Sequence, residues 1–284
     1  MSDKKIDDVT GISTTGHEWD GIRELDNPMP RWWLWTFYAT IVWALAYTIA
    51  YPAWPLISSA TNGMLGYSSR AELRTELDGA VAARADYAAA VAAAPVEDII
   101  ADEALRQFAT SAGAAAFKVN CVQCHGSGAA GSAGYPNLND DEWLWGGTPE
   151  EIRVTIAHGI RFEADGETRF SEMPAFGGML GRDEMTALAT HVKALGEGGD
   201  LSGPGAELFA NNCASCHGEA GKGDITLGAP DLTDAIWLYG STSADIAAQI
   251  RAPRHGVMPG WIDRLGETTV KELTVYVHSL GGGQ

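Results

Sequence analysis

Cys121-Val122-Gln123-Cys124-His125 and Cys213-Ala214-Ser215-Cys216-His217 share one pattern, Cys-x-x-Cys-His, and that pattern decides the fold. Two thiols at this spacing can each form a thioether to a haem vinyl group, and the imidazole that follows can ligate the iron. A zinc site or a redox dithiol also uses Cys-x-x-Cys. Zinc, however, needs no His directly after each pair, and a thioredoxin-like motif belongs in a βαβ context that the flanking sequence lacks. The chain has four cysteines and the two motifs use all of them, so no thiol is left for a disulfide. Two covalently bound haem c groups are expected, attached at Cys121, Cys124, Cys213 and Cys216, with His125 and His217 as axial iron ligands.

Both motifs sit in an internal repeat. Phe117 and Phe209 each precede the first cysteine by four residues. Tyr135-Pro136-Asn137-Leu138 matches Ala229-Pro230-Asp231-Leu232, Trp143-Leu144-Trp145-Gly146 matches Trp237-Leu238-Tyr239-Gly240, and Met173-Pro174 matches Met258-Pro259. Leu188, Val192 and Leu195 match Leu273, Val277 and Leu280, spaced for one apolar helix face. The first copy carries extra residues between its Trp and its Met, around residues 161–171. A glycine cluster from Gly196 to Gly205 marks the boundary between copies. The expected fold is mainly α, with two tandem class I-like cytochrome c domains over residues 101–198 and 199–284. Each has one helix running into Cys-x-x-Cys-His, one near residues 148–157 or 243–250, and one closing helix. Thr148 and Ser243 are the expected N-caps, and Glu151 completes a capping box with Thr148.

The other side of each iron decides the chemistry. An open position means ligand binding or peroxidase activity, whereas a thioether means electron transfer at raised potential. Met258 is the only Met after Cys213 and lies 41 residues past His217, so the two are expected to share the second domain's haem. In the first domain Met173, Met179 and Met185 compete. Met173 alone has the Met-Pro match and is assigned with His125; Met179 and Met185 suit core filling better. His158, His191, His255 and His278 remain alternative ligands. The carbonyls of Pro136 and Pro230 are placed to accept from the proximal imidazoles. Trp143, Trp145, Trp237 and Tyr239 could wall the haems, and Arg153, Arg161, Arg251 and Arg254 could meet haem propionates.

Residues 1–30 are polar and lack the start of a signal peptide. Residues 32–51 are an uncharged apolar run that as a helix spans about 30 Å, the hydrocarbon thickness. Trp32, Trp33 and Trp35 mark one interface, and Tyr51 and Trp54 the other. A single transmembrane anchor is expected over residues 31–55. Lys4, Lys5, Arg23 and Arg31 precede it and Arg70 is the first cation after it, which puts the N-terminus in the cytoplasm. Covalent haem attachment in bacteria occurs outside the inner membrane, which makes the haem domains periplasmic. Residues 56–100 read as a helical spacer ended near Pro95. Trp19, Ile22 and Leu25 lie at roughly helical spacing, suggesting an ordered N-terminal segment. The net charge of −18 and pI of about 4.6 argue against nucleic acid and anionic lipid surfaces and suit a basic protein partner.

Gly16-His17-Glu18-Trp19-Asp20-Gly21-Ile22-Arg23-Glu24-Leu25-Asp26-Asn27-Pro28, followed by Pro30-Arg31-Trp32-Trp33, resembles the cytoplasmic segment of the dihaem subunit III (CcoP/FixP family) of cbb3-type cytochrome c oxidases. Ile156-Ala157-His158-Gly159-Ile160-Arg161 and Gly256-Val257-Met258-Pro259-Gly260-Trp261 resemble the same family. The resemblance implies electron transfer from a soluble or membrane-tethered c-type cytochrome, through a monohaem cytochrome c subunit, to a catalytic subunit with haem b and copper. Oxygen is reduced there, coupled to proton pumping; no oxygen site is expected in this chain. Three other readings compete: a free-standing tethered shuttle or dehydrogenase partner, a dihaem peroxidase, and a structural zinc protein.

Overall fold

The computed structural model describes residues 5–282, in two units, Met1–Ala82 and Ala83–Gln284. Lys4, one of the cations used for orientation, lies outside the described residues.

The first unit starts with a hairpin, β1 (Thr14–Trp19) and β2 (Ile22–Leu25), paired antiparallel with Trp19 opposite Ile22 and Glu18 opposite Arg23. The helical spacing of Trp19, Ile22 and Leu25 is therefore not realised. Asp20 and Gly21 both take positive φ, 50° and 82°, the geometry of a two-residue type I′ turn, and Asp-Gly is a strong signal for it. Arg23 Nε donates to Glu18 Oε2 across the strands at 2.6 Å. Helix α1 (Arg31–Ala50) has no buried residue and a mean hydropathy of 1.3 over its most apolar stretch. Its threonine hydroxyls turn back onto the helix: Thr36, Thr40 and Thr48 donate to the carbonyls of Trp32, Phe37 and Leu45. A helix that satisfies its polar groups internally suits a surrounding without water. Helix α2 (Ser69–Ala83) also buries nothing.

The second unit holds α3 (Ala85–Ala93), α4 (Val96–Ala101), α5 (Glu103–Asn120), the single turn α6 (Val122–His125), α7 (Pro149–His158), α8 (Arg182–Glu197), α9 (Pro204–Asn212), the single turn α10 (Ala214–His217), α11 (Ser243–Arg251) and α12 (Ile262–His278, interrupted at non-helical Gly266). Thr148 caps α7 in a capping box with Glu151 as expected. The cap of α11 is Thr242, in a box with Asp245, and not Ser243.

Residues 85–100 are more than a spacer. Val91, Val96 and Ile99 are buried with Ala109 of α5 and Val275 of α12. Lys271 of α12 donates its ammonium protons to the carbonyls of Ala92 and Ala94, at 2.9 and 2.8 Å. These are the open carbonyls at the C-terminal end of α3, where the helix dipole favours a cation. Lys271→Met is expected to cost roughly 1–2 kcal/mol and to speed hydrogen exchange in α3 before the rest of the unit.

The two copies are tandem in sequence but exchange elements in the fold. One core cluster joins Phe117 of α5 and Ile152 and Ile156 of α7 to Val270, Leu273 and Val277 of α12. The other joins Phe209 of α9 and Ile246 and Ile250 of α11 to Met185, Leu188 and Val192 of α8. Each closing helix thus completes the other copy's lobe. The contacts are equivalent. Gly113 of α5 lies against Glu272 and Tyr276, with Tyr276 on the Phe117 ring (5.3 Å between centroids). Gly205 of α9 lies against Ala187 and His191, with His191 on the Phe209 ring (5.4 Å).

Candidate functional site

Helices α5 and α9 deliver the chain into the two Cys-x-x-Cys-His turns. Cys121 N–H donates to the Phe117 carbonyl and His125 N–H to the Cys121 carbonyl, at 2.8 and 3.0 Å; the second copy repeats these bonds at 2.8 and 2.9 Å. The chain then curls tightly. Gly131 and Gly223 donate back to the His125 and His217 carbonyls, and a Cβ at either glycine would overlap the carbonyl of Tyr135 or Ala229. The curl presents the next carbonyl to the imidazole. His125 Nδ1 lies 3.0 Å from the Pro136 oxygen and His217 Nδ1 lies 3.1 Å from the Pro230 oxygen. A carbonyl only accepts, so Nδ1 carries the proton and Nε2 keeps its lone pair. Burial pulls both histidines below their ordinary pKa, against the opposing effect of the proline carbonyl, and so favours the neutral ring. Cys121 and Cys213 are pushed up to about 11 by burial, with a smaller contribution from Cys124 and Cys216, which are exposed.

A cavity of about 540 Å³ opens beside the second motif. Cys213, Cys216, His217, Trp237 and Tyr239 line it, and so does Met173 from the first copy. Met173 also packs on the cluster that contains Cys213. Met258 packs with Cys121 on the cluster around Phe117 and Leu273. The expected pairing of Met173 with His125 and Met258 with His217 is therefore reversed in the fold. The cause is mechanical: each methionine precedes its closing helix by a short loop and travels with it into the opposite lobe.

The competing residues separate in the same way. Met185 is buried core, while Met179 is exposed. His158 Nδ1 is 3.0 Å from Asp165 Oδ2, and His191 is buried against Phe209. His255 lines the cavity with His217. Trp143 Nε1 donates to the Gly282 carbonyl and so ties down the chain beyond α12. Trp145 packs over Gly228 and Tyr239 over Gly134, a reciprocal contact between copies. Among the arginines, Arg153 is held by Glu150 and Glu267, and Arg254 donates to the Tyr239 carbonyl. Sequence reasoning missed Arg169, whose buried Nε has no acceptor among the described residues while its guanidinium lies 5.4 Å from the Trp145 ring centroid. Arg169 sits among the extra residues of the first copy and has no repeat partner to flag it.

Glu142, Asp231 and Asp234 bring carboxylate oxygens within 4.8 Å of one another where the two copies meet. Burial, then a shared hydrogen bond with Asp234 and repulsion from Asp234, Asp231 and Asp141, pushes Glu142 up to about 7. A carboxyl that stays protonated in the fold but ionises near 4.5 when unfolded weakens the fold as pH rises between those values. This carboxyl therefore pulls the midpoint of thermal unfolding down from pH 5 to pH 7, whereas the lowered His125 and His217 pull it up. Glu142→Gln removes the first contribution and is expected to make the change in midpoint over that range more positive, and an unchanged slope would refute the assignment.

A family model described as "Cytochrome C oxidase, cbb3-type, subunit III" matches residues 108–192 and 203–277, and one described as "N-terminal domain of cytochrome oxidase-cbb3, FixP" matches residues 11–58. The chain belongs to the cbb3-type subunit III family. Relatives in this family include the cbb3-type cytochrome c oxidase subunit FixP of Rhizobium meliloti, 59% identical over 99% of this chain and 98% of that one. Subunit CcoP of Cereibacter sphaeroides is 54% identical over 95% of each chain. FixP of Bradyrhizobium diazoefficiens is 50% identical over 99% and 98%. As a subunit III protein, the chain carries two c-type haems, one for each matched cytochrome segment, and serves in electron transfer. Helix α1, inside the segment matched by the N-terminal model, is its membrane anchor. The donor set fits two such haems: paired thiols, an imidazole with a free Nε2, a thioether on the same cluster, and, in the second lobe, a cavity within the usual range for a ligand site.

Proposed function

We propose that Cys121, Cys124, His125 and Met258 would hold one haem, the cysteines covalently and His125 and Met258 through the iron. Cys213, Cys216, His217 and Met173 would hold the other in the same way. Bound there, each haem supplies a one-electron iron couple. The residues do the rest. The Pro136 and Pro230 carbonyls fix the Nδ1–H tautomer and turn each ring so that Nε2 is the free donor. The thioethers favour the reduced iron and raise its potential. The unpaired Arg169 Nε is a donor for a haem carboxylate. With a thioether available to each imidazole, the chain is built to move electrons rather than to bind oxygen or peroxide. The observation that carries this reading is the recurrence of the same imidazole–carbonyl bond and the same thioether in both lobes.

In this reading the N-terminus is cytoplasmic and both lobes face the periplasm of a bacterial inner membrane. Electrons arrive from a soluble or tethered c-type cytochrome, which the acidic chain would attract at low salt. They leave through a monohaem cytochrome c subunit to the haem b and copper subunit that reduces oxygen. The exposed Trp19 and Ile22 of the hairpin are a contact to partner subunits. The test is a haem inventory: the chain is isolated from native membranes in mild detergent and its companions are analysed by pyridine-haemochrome spectra. Haem b, copper and oxygen consumption accompanying two c haems are expected. Arrival of the chain alone, with two c haems, would instead make it a tethered shuttle.

A further inference from the structure

The extra residues of the first copy, from Arg161 onward, form a bridge between the two methionine loops. Ile160 exchanges backbone hydrogen bonds with Met258, N–H to carbonyl in both directions, at 2.9 and 3.0 Å. Arg161 follows with φ of 54°, a left-handed conformation that costs a non-glycine residue free energy and persists only where its surroundings hold it. Three bonds do so. Its N–H donates to the Arg169 carbonyl at 2.8 Å. Its side chain donates through Nε to the Gly256 carbonyl at 2.7 Å and through Nη1 to the Ser171 carbonyl at 3.0 Å. Gly256 lies two residues before Met258, and Ser171 two residues before Met173. The guanidinium is half-buried and also lines the cavity that contains Met173 and His217. A rigid planar fork can hold two carbonyls on separate strands at once; a lysine ammonium is a single point on a flexible stem. The second copy lacks these extra residues, and its Arg254 is spent on the Tyr239 carbonyl and ring.

We propose that Arg161 is a positioning residue for both axial methionines at once, so that the strength of the two iron–sulfur bonds is coupled through one side chain. The proposal rests on the assignment of Met173 and Met258 as ligands. The Arg161 guanidinium bonds to backbone carbonyls; it fixes the backbone from which each thioether is presented.

The test uses the purified oxidase complex, or the full-length chain in detergent, carrying Arg161→Gln or Arg161→Lys. Covalent attachment keeps both haems in place, so haem content separates a positioning defect from failure to assemble. The readouts are the weak red-region thioether-to-iron band, the ferric low-spin EPR signal of each haem, and each midpoint potential. Met173→Ala and Met258→Ala assign these signals to one haem each. Arg161→Gln is expected to diminish the band and lower the potential at both haems in parallel, and Arg161→Lys to fail to restore them. A band unchanged in Arg161→Gln, a loss confined to one haem, or full rescue by lysine would overturn the proposal. If neither methionine variant alters any signal, the ligand assignment itself fails, which is a different result from an inert Arg161.

Discussion

Met258→Ala is expected to open the haem site at Cys121 and Cys124 and to leave the nearer motif, at Cys213 and Cys216, intact. Met258 shares its cluster with Cys121, Phe117 and Leu273, whereas the cluster of Cys213 contains Met173. Loss of the thioether should lower one midpoint potential by roughly 0.1–0.3 V, a fraction of the span of about 0.8 V that axial ligands control. Hydrogen exchange locates the effect. Faster exchange is expected around residues 117–138 and not around residues 209–232. Met173→Ala should give the mirror image. If Met258→Ala instead loosens residues 209–232, each motif is ligated within its own copy and the exchanged arrangement is wrong.

The second large effect is steric. Gly113→Val puts a branched side chain where a single Cβ already overlaps the Glu272 carbonyl of α12. Backbone cannot yield as the end of a side chain can, so the helices must separate and the Phe117–Tyr276 contact is lost. A cost of about 3 kcal/mol or more is expected, at the upper end for overpacking, read as a lowered denaturant midpoint. Gly79→Ala supplies the contrast. Gly79 lies in exposed α2 with nothing within 4 Å of a Cβ, so the change should stabilise that helix by about 0.5–1 kcal/mol. Two glycine substitutions with opposite signs would separate close helix packing from helix propensity.

Much of this was legible in the residues. The Cys-x-x-Cys-His turns, the proline carbonyls, the apolar span and the matching landmarks each rest on local chemistry, and local chemistry survives in a linear string. The hairpin was misread because Trp19, Ile22 and Leu25 fit a helix as well as two strands; Asp20-Gly21 between them was the better guide. The exchange of closing helices was hidden by the repeat itself. Leu188 and Val192 in α8 carry the same pattern as Leu273 and Val277 in α12, so either helix could complete either groove. One signal could have decided it. Only residues 198–203 separate α8 from α9, and elements joined by so short a loop are usually neighbours. Once α8 is taken by α9, α12 is what remains for α5. Arg161 and Glu142 act across copies, and nothing local to them marks their partners.

The exchange also sets an order in time. The lobe around Cys213 is built from α8 to α11, which are consecutive and can close as soon as residue 251 is available. The lobe around Cys121 needs α12, which is the last of these helices to be synthesised. At about 5–20 residues per second, the first Cys-x-x-Cys-His turn waits roughly 8–30 s for its final wall. Over the last part of that interval, once residue 251 has been made, the downstream lobe can be complete while the upstream thiols still stand open on one side. The motif written first is therefore the one enclosed last, and a chain stopped short of α12 would leave its upstream haem site without its cover.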